Sequence, residues 1–66
     1  MQVNKKSLEL EMARACMNAK DISEVANTPE STVKNVISGR NVKPRTLGKI
    51  AKALGCDPLD IIEQGE

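Results

Sequence analysis

The feature that most constrains this sequence is a break at Asn27-Thr28-Pro29, which separates two short patterns of apolar residues. On each side, apolar residues recur at the i, i+3, i+4 spacing of a helix with one apolar face; they are Ile22, Val25 and Ala26 before the break and Val33, Val36 and Ile37 after it. Asn27 can adopt the left-handed conformation, Thr28 is a suitable N-cap, and Pro29 suits the first helical position. Two helices joined so tightly must cross for both apolar faces to reach one core.

Crossed helices joined by a tight turn predict a helix-turn-helix arrangement. The outward side of the second helix is polar, and its residues are Glu30, Ser31, Lys34, Asn35 and Ser38. Short polar and charged side chains of this kind can read base edges in the major groove of DNA. The sequence therefore suggests a nucleic-acid-binding surface.

The distribution of charge supports that hypothesis better than the net charge, which is only +1. Residues 1–30 carry four basic and five acidic side chains. Residues 31–56 carry six basic side chains and no acid, whereas residues 57–66 carry four acids and no base. A solvated surface usually mixes both signs, so a cationic third of the chain favours a surface that faces a polyanion.

The composition limits the core that this chain can build. With 66 residues and no aromatic side chain, we expect a single domain over residues 1–66, stabilised by aliphatic packing. A core of this size typically supplies about 3–5 kcal/mol of net stability, to which dimerisation would add. Cys16 and Cys56 lie in apolar helical contexts without zinc or redox spacing. They are predicted to be reduced core thiols of a cytoplasmic protein.

The spacing of apolar residues, caps and breakers predicts five short helices and no strand. Their expected bounds are about 7–16, 19–26, 29–38, 45–54 and 58–64, with an ordered core over about 7–63. We expect Ser7, Asn18 and Asp57 to be N-caps and Gly39 and Gly55 to be C-caps. Residues 1–6 are predicted to be a frayed start, and residues 40–44 a loop that ends at Pro44.

The sequence lacks the residues that most enzymes need. It has no His, and it shows no nucleophile–base pair, phosphate loop or metal-ligand spacing. The carboxylates of Glu9, Glu11, Asp57 and Asp60 lie near helix starts, where they stabilise the helix dipole. No membrane span or signal peptide is evident. We expect a cytoplasmic protein without catalytic residues, cofactor, metal, membrane contact or small-molecule ligand.

Two stretches of the sequence carry a family resemblance. The runs Ser31–Pro44 and Ile50–Ile62 resemble the lambdoid phage repressor/Cro type of helix-turn-helix, also called the XRE family, and the likeness extends over about residues 7–63. The resemblance implies a compact all-α five-helix bundle of the lambda-repressor type. It also implies a sequence-specific protein that binds double-stranded DNA, usually as a homodimer and most often as a transcriptional repressor.

The same resemblance assigns functional positions residue by residue. The family's base-reading positions correspond to Pro29, Glu30, Ser31 and Asn35, and Lys34 lies beside them. The family's phosphate contacts correspond to Asn18, Ala19, Ser38, Arg40, Lys43 and Arg45. Asn35 can pair with adenine, and the basic residues near the loop would supply the salt-sensitive part of DNA affinity.

The sequence departs from the family pattern at three places. Ala19 replaces a frequent Gln, so that only backbone amides remain there for phosphate. Asn27 replaces the usual Gly of the turn. Met12 and Ile37 replace a buried Arg–Glu pair, which removes the desolvation cost of an ion pair.

Two alternatives stay open at this point. The apolar residues Leu59, Ile61 and Ile62 can belong either to a dimer interface or to the core of one chain. The fold can also serve as a protein-interaction module, such as an antitoxin or regulatory partner. Masking proteins of that kind usually extend beyond the fifth helix, and the sequence ends at Glu66. DNA-binding regulation is therefore the leading hypothesis.

Overall fold

The computed structural model of the protein describes residues 1–63. Its helices are α1 (Lys5–Ala15), α2 (Ala19–Ala26), α3 (Glu30–Ile37) and α4 (Pro44–Leu54), followed by a 3₁₀ turn at Pro58–Asp60. The prediction of an all-helical fold is confirmed over this range. The prediction of five helices is wrong, because the last segment makes only the 3₁₀ turn. Residue 64 of the predicted last helix lies outside the described residues.

The predicted break between α2 and α3 is present, and its local chemistry explains it. Asn27 adopts the left-handed conformation with φ 53°, and its N–H donates to the carbonyl of Ser23. At the other end of α2, Asn18 and Asp21 form a reciprocal capping box. Gly55 ends α4 with φ 76°, as predicted, and Asp57 caps the 3₁₀ turn. Each of these residues satisfies backbone groups that a helix end leaves unpaired.

Several predicted helix ends are wrong by one to three residues. Asn4, not Ser7, caps α1, and its side chain accepts the N–H of Ser7. Pro29, not Thr28, is the N-cap of α3, while the Thr28 hydroxyl donates to the Ala26 carbonyl. Ser38 is the C-cap of α3, ahead of the predicted Gly39, and α4 already begins at Pro44. Sequence preferences identify such caps only approximately, because neighbouring polar residues compete for the same backbone groups.

The predicted apolar stripes form one core in which α2 packs against both α3 and α4. The fully buried side chains at its centre are Leu8, Ile22, Val33, Val36, Leu47, Ile50 and Ile61. Met12 and Ile37 both pack against this core, partly buried. Val25 is the exception to the predicted stripes, since 65% of it is exposed. The buried stripe of α2 contains Ile22 and Ala26, and Val25 lies beside it, next to α4.

The N-terminal residues are not frayed, contrary to the prediction. Val3 is buried and forms an isolated antiparallel bridge with Ile62. The Asn4 N–H donates to the Ile61 carbonyl at 2.8 Å, and the Glu63 N–H donates to the Gln2 carbonyl at 2.7 Å. One bridge is too short for an alternating pattern to show in the sequence. This pairing also explains why residues 61–63 do not continue the predicted helix.

The two cysteines differ in environment. Cys16 is exposed and ends α1 in the left-handed conformation with φ 56°, so its prediction as a core thiol is wrong. Cys56 is partly buried against the core. Burial, reinforced by the nearby carboxylates of Glu11 and Asp60, raises the pKa of the Cys56 thiol. Both thiols are free.

Residues 1–63 contain neither a membrane-spanning helix nor a cluster of metal ligands. None of the helices in this range has the length and apolar character needed to cross a bilayer. In the same range, no three His, Cys, Asp or Glu residues are placed to share a metal ion.

The left-handed C-cap of α1 leads to a stability prediction. Cys16→Gly should stabilise the protein by about 0.5–1 kcal/mol, because glycine adopts φ 56° without a steric cost. Urea unfolding measures the effect. The matched control is Ala13→Gly within α1, which should cost about 1 kcal/mol. A Cys16→Gly protein less stable than wild type would contradict the prediction.

Candidate nucleic-acid interface

The predicted base-reading side chains lie on the exposed side of α3. Burial of Val33 and Val36 orients this helix and turns the opposite side to solvent. All five predicted base-reading residues are exposed, namely Pro29, Glu30, Ser31, Lys34 and Asn35. The structure therefore presents them together on one short helix, at and after its N-terminus.

Two of these residues form an ion pair with each other. Lys34 Nζ lies 3.5 Å from Glu30 Oε2, one helical turn away. The pair is largely exposed, so it contributes only about 0.3–0.5 kcal/mol to the helix. Because it is weak, Lys34 can exchange Glu30 for a phosphate or a base. The i, i+4 spacing of the two residues allows this contact but does not require it, so the pair was not predicted.

A cleft of about 320 Å³ joins α3 to the loop before α4. Asn35 lies on one wall and Lys43 on the other, so a predicted base-reading side chain and a predicted phosphate ligand share one concave surface. The cleft is also lined by Thr32, Asn41 and Thr46. Asn41 and Thr46 are not among the residues predicted from the sequence. The signal that could have identified them is the density of hydrogen-bonding residues around Lys43.

Three exposed cations lie in or near this cleft, two of them in the loop and one in the first turn of α4. Arg40, Lys43 and Arg45 take part in no ion pair among residues 1–63. Lys43 is also the N-cap of α4, where no side chain accepts the first amides of the helix. Positive side chains and the positive end of a helix dipole therefore lie in the same loop. The side chain of Ser38, another predicted phosphate ligand, donates to the Asn35 carbonyl at 2.8 Å.

The start of α2 is a weaker phosphate-binding site than the free amides of a helix N-terminus would provide. Asn18 Oδ1 accepts the Asp21 N–H at 2.8 Å, and Asp21 Oδ2 accepts the Asn18 N–H at 3.0 Å. Both amides are thus bonded within the capping box, and the Asp21 carboxylate adds a negative charge there. Ala19, the other predicted phosphate ligand of this helix, is half-buried. The electrostatically favourable surface is therefore the loop before α4.

The three residues considered for a dimer interface have different environments. Ile61 is fully buried within the chain, and Ile62 is half-buried against the core. Leu59 is 61% exposed. Ile61 therefore has no accessible surface to offer an interface, and Leu59 is the most exposed of the three.

The fold and this surface together define a helix-turn-helix DNA-binding domain. α2 and α3 cross at a left-handed turn, α3 presents polar side chains to solvent, and exposed cations flank it.

Comparison with protein families also identifies a helix-turn-helix DNA-binding domain. The family model of the Cro/C1-type HTH DNA-binding domain matches residues 7–64. The chain belongs to this family, and it is a DNA-binding regulator. The resemblance to Cro and phage repressors noted in the sequence is thereby confirmed. Neither the search of curated proteins nor the search of solved structures found a match.

The ion pair on α3 leads to a prediction about non-specific binding. Glu30→Gln removes a carboxylate from the surface predicted to face DNA and releases Lys34 from its ion pair. We expect tighter binding to random-sequence duplex DNA and a salt slope steeper by about 0.9, the value of one added phosphate contact. Fluorescence anisotropy across a salt series measures both. Glu9→Gln on α1 is the control, because it changes the net charge by the same amount. An equal effect of Glu9→Gln would contradict the placement of Glu30 and Lys34 on the DNA-binding surface.

Proposed function

We propose that this protein is a transcriptional repressor that binds a palindromic operator as a homodimer and places α3 in the major groove. The observation that carries the proposal is the cleft between α3 and the following loop. It sets Asn35, a side chain able to read a base, beside Lys43, a cation able to hold a phosphate. A helix inserted in the major groove needs both kinds of contact, one for specificity and one for register.

The side chains of α3 suit direct readout of bases. Asn35 can form two hydrogen bonds with adenine, and Glu30 can accept from the amino group of cytosine. Ser31 can bond to several bases, and Pro29 and the Thr32 methyl group can contact the methyl group of thymine. Glu30 also repels phosphate unless it meets cytosine, so it selects against other sequences. Lys34 has access to guanine or to a phosphate once it leaves Glu30.

The cations of the loop and of the first turn of α4 suit the phosphate backbone. Arg40, Lys43 and Arg45 are exposed cations without acidic partners among residues 1–63. Their charge would release counterions from DNA, which makes the affinity dependent on salt. The amides at the start of α4 add a second source of positive potential.

The proposed dimer rests on exposure and on size. Leu59 is a large aliphatic side chain left 61% exposed on a 66-residue chain with a small aliphatic core. Covering it in a two-fold interface would stabilise the protein and pair two recognition helices. Dimers of this type contact half-sites about one helical turn apart, which explains a palindromic operator.

Selection from random duplex DNA tests the proposal directly. We expect enrichment of a palindrome whose half-sites are about one helical turn apart, bound with an affinity that falls steeply with salt. Enrichment of an asymmetric site would contradict the homodimer. No enrichment above non-specific binding would contradict the operator and favour a protein-interaction module.

Two substitutions separate base reading from phosphate binding. Asn35→Ala should cost about 1–3 kcal/mol on the selected site and leave non-specific binding nearly intact. Lys43→Ala should weaken binding to all DNA about equally and flatten the salt slope by about one unit. Titrations of both variants on the selected site and on random DNA provide the comparison. Wild-type affinity of Asn35→Ala for the selected site would refute its base-reading role.

The dimer proposal has a matched pair of variants. Leu59→Asp should prevent dimerisation, because it introduces a carboxylate at the centre of the proposed interface. Leu10→Asp on α1 is the control, since Leu10 is 62% exposed and Leu59 61%. Sedimentation velocity measures the association, and binding to the full palindrome against a single half-site measures its consequence. Equal effects of the two substitutions would place the interface elsewhere.

A further inference from the structure

Three segments that are distant in the sequence meet at one edge of the molecule. They are the N-terminal residues 1–4, the loop between α3 and α4, and residues 61–63. The N-terminal residues lie between the other two segments and pair with both. This arrangement involves the loop that carries the proposed phosphate-binding cations Arg40 and Lys43, although none of the side chains of residues 1–4 is cationic.

The loop side of this arrangement consists of three hydrogen bonds. The Val42 N–H donates to the Met1 carbonyl at 2.7 Å, and the Met1 nitrogen donates to the Val42 carbonyl at 2.8 Å. Gln2 Nε2 donates to the Gly39 carbonyl at 3.1 Å. The two ends of the loop segment 39–42 are therefore held by adjacent residues of the N-terminal segment.

The opposite side of the N-terminal segment is anchored to the core. Val3 is 2% exposed, and the backbone groups of Gln2 and Asn4 on either side of it bond to residues 61–63. Val42 is itself buried at 5% exposure. Pulling residues 1–4 away would therefore expose two valines and release the loop at the same time.

Lys5 adds a further contact at the start of the loop. A Cβ atom at Gly39 would lie 3.1 Å from Lys5 Cδ, so the aliphatic stem of Lys5 covers this glycine closely. Gly39 has φ +99°, a conformation that other residues rarely adopt. The loop thus begins at a glycine whose positive φ few other residues could adopt, and the side chain of Lys5, at the start of α1, packs against this glycine.

We infer that the segment Met1–Asn4 is a positioning element for DNA binding, which fixes the loop so that Arg40 and Lys43 face phosphates in register with α3. The inference rests on the proposed phosphate role of this loop. Between Ser38 and Pro44 the loop has no helix or strand of its own. Without the N-terminal segment, binding would have to order a mobile loop, and the entropy of that ordering lowers affinity.

Hydrogen exchange and DNA titration of two variants test the inference. Gln2→Ala removes the exposed bond to Gly39, whereas Val3→Asp introduces a charge at the buried anchor. We expect Val3→Asp to accelerate exchange of the Val42 amide at least tenfold while the amides of α2 and α3 stay protected. Affinity for random duplex DNA should fall by about twofold in Gln2→Ala, in line with one weak hydrogen bond, and further in Val3→Asp.

Controls separate positioning from a general loss of stability. Val3→Ile keeps an aliphatic anchor and should bind DNA as wild type does. Leu54→Ala truncates a buried residue of α4 outside this arrangement and should lower stability in urea without accelerating the Val42 amide selectively. An equal loss of DNA affinity in Leu54→Ala and Val3→Asp at matched folded fraction would overturn the inference.

The variant Lys43→Ala distinguishes the two possible failures. If Lys43→Ala weakens DNA binding while Gln2→Ala and Val3→Asp bind as wild type does, the positioning role is wrong and the phosphate role of the loop stands. If Lys43→Ala itself binds DNA as wild type does, the phosphate role fails and the positioning role falls with it.

Discussion

The structure depends on the crossing of α2 and α3, which the left-handed backbone of Asn27 allows. The crossing brings Ile22 and Ala26 of α2 into the same core as Val33 and Val36 of α3. Because those apolar faces are buried together, the opposite, polar side of α3 faces solvent. The exposure of the proposed base-reading side chains is thus a consequence of core packing.

The charges of the surface are distributed differently on α3 and on the loop before α4. On α3, Lys34 is held by Glu30, so this helix carries little net charge before DNA arrives. The cations of the loop have no such partner among residues 1–63. In the proposed DNA complex, non-specific attraction comes mainly from the loop, and discrimination among bases comes mainly from α3.

Much of this arrangement could be predicted because it is local. The apolar face of α3, the capping residue Asn18 and the left-handed Asn27 each depend on neighbours within four residues, and the structure agrees with all three. The candidate site was predictable only as a list of residues. The pairing of Glu30 with Lys34, and the capping box that occupies the amides at the start of α2, depend on side-chain geometry that spacing leaves open.

The sequence by itself determined the helix-turn-helix, the polar face of α3 and the cationic character of residues 31–56, because periodicity, turn chemistry and charge are properties of contiguous residues. Only the tertiary structure decided that residues 1–4 pair with both the loop and residues 61–63, that Ile61 is buried, and that Asn35 and Lys43 share one cleft. Contacts between such distant segments depend on how the whole core packs, and a single bridge of backbone hydrogen bonds leaves no periodic pattern in the sequence.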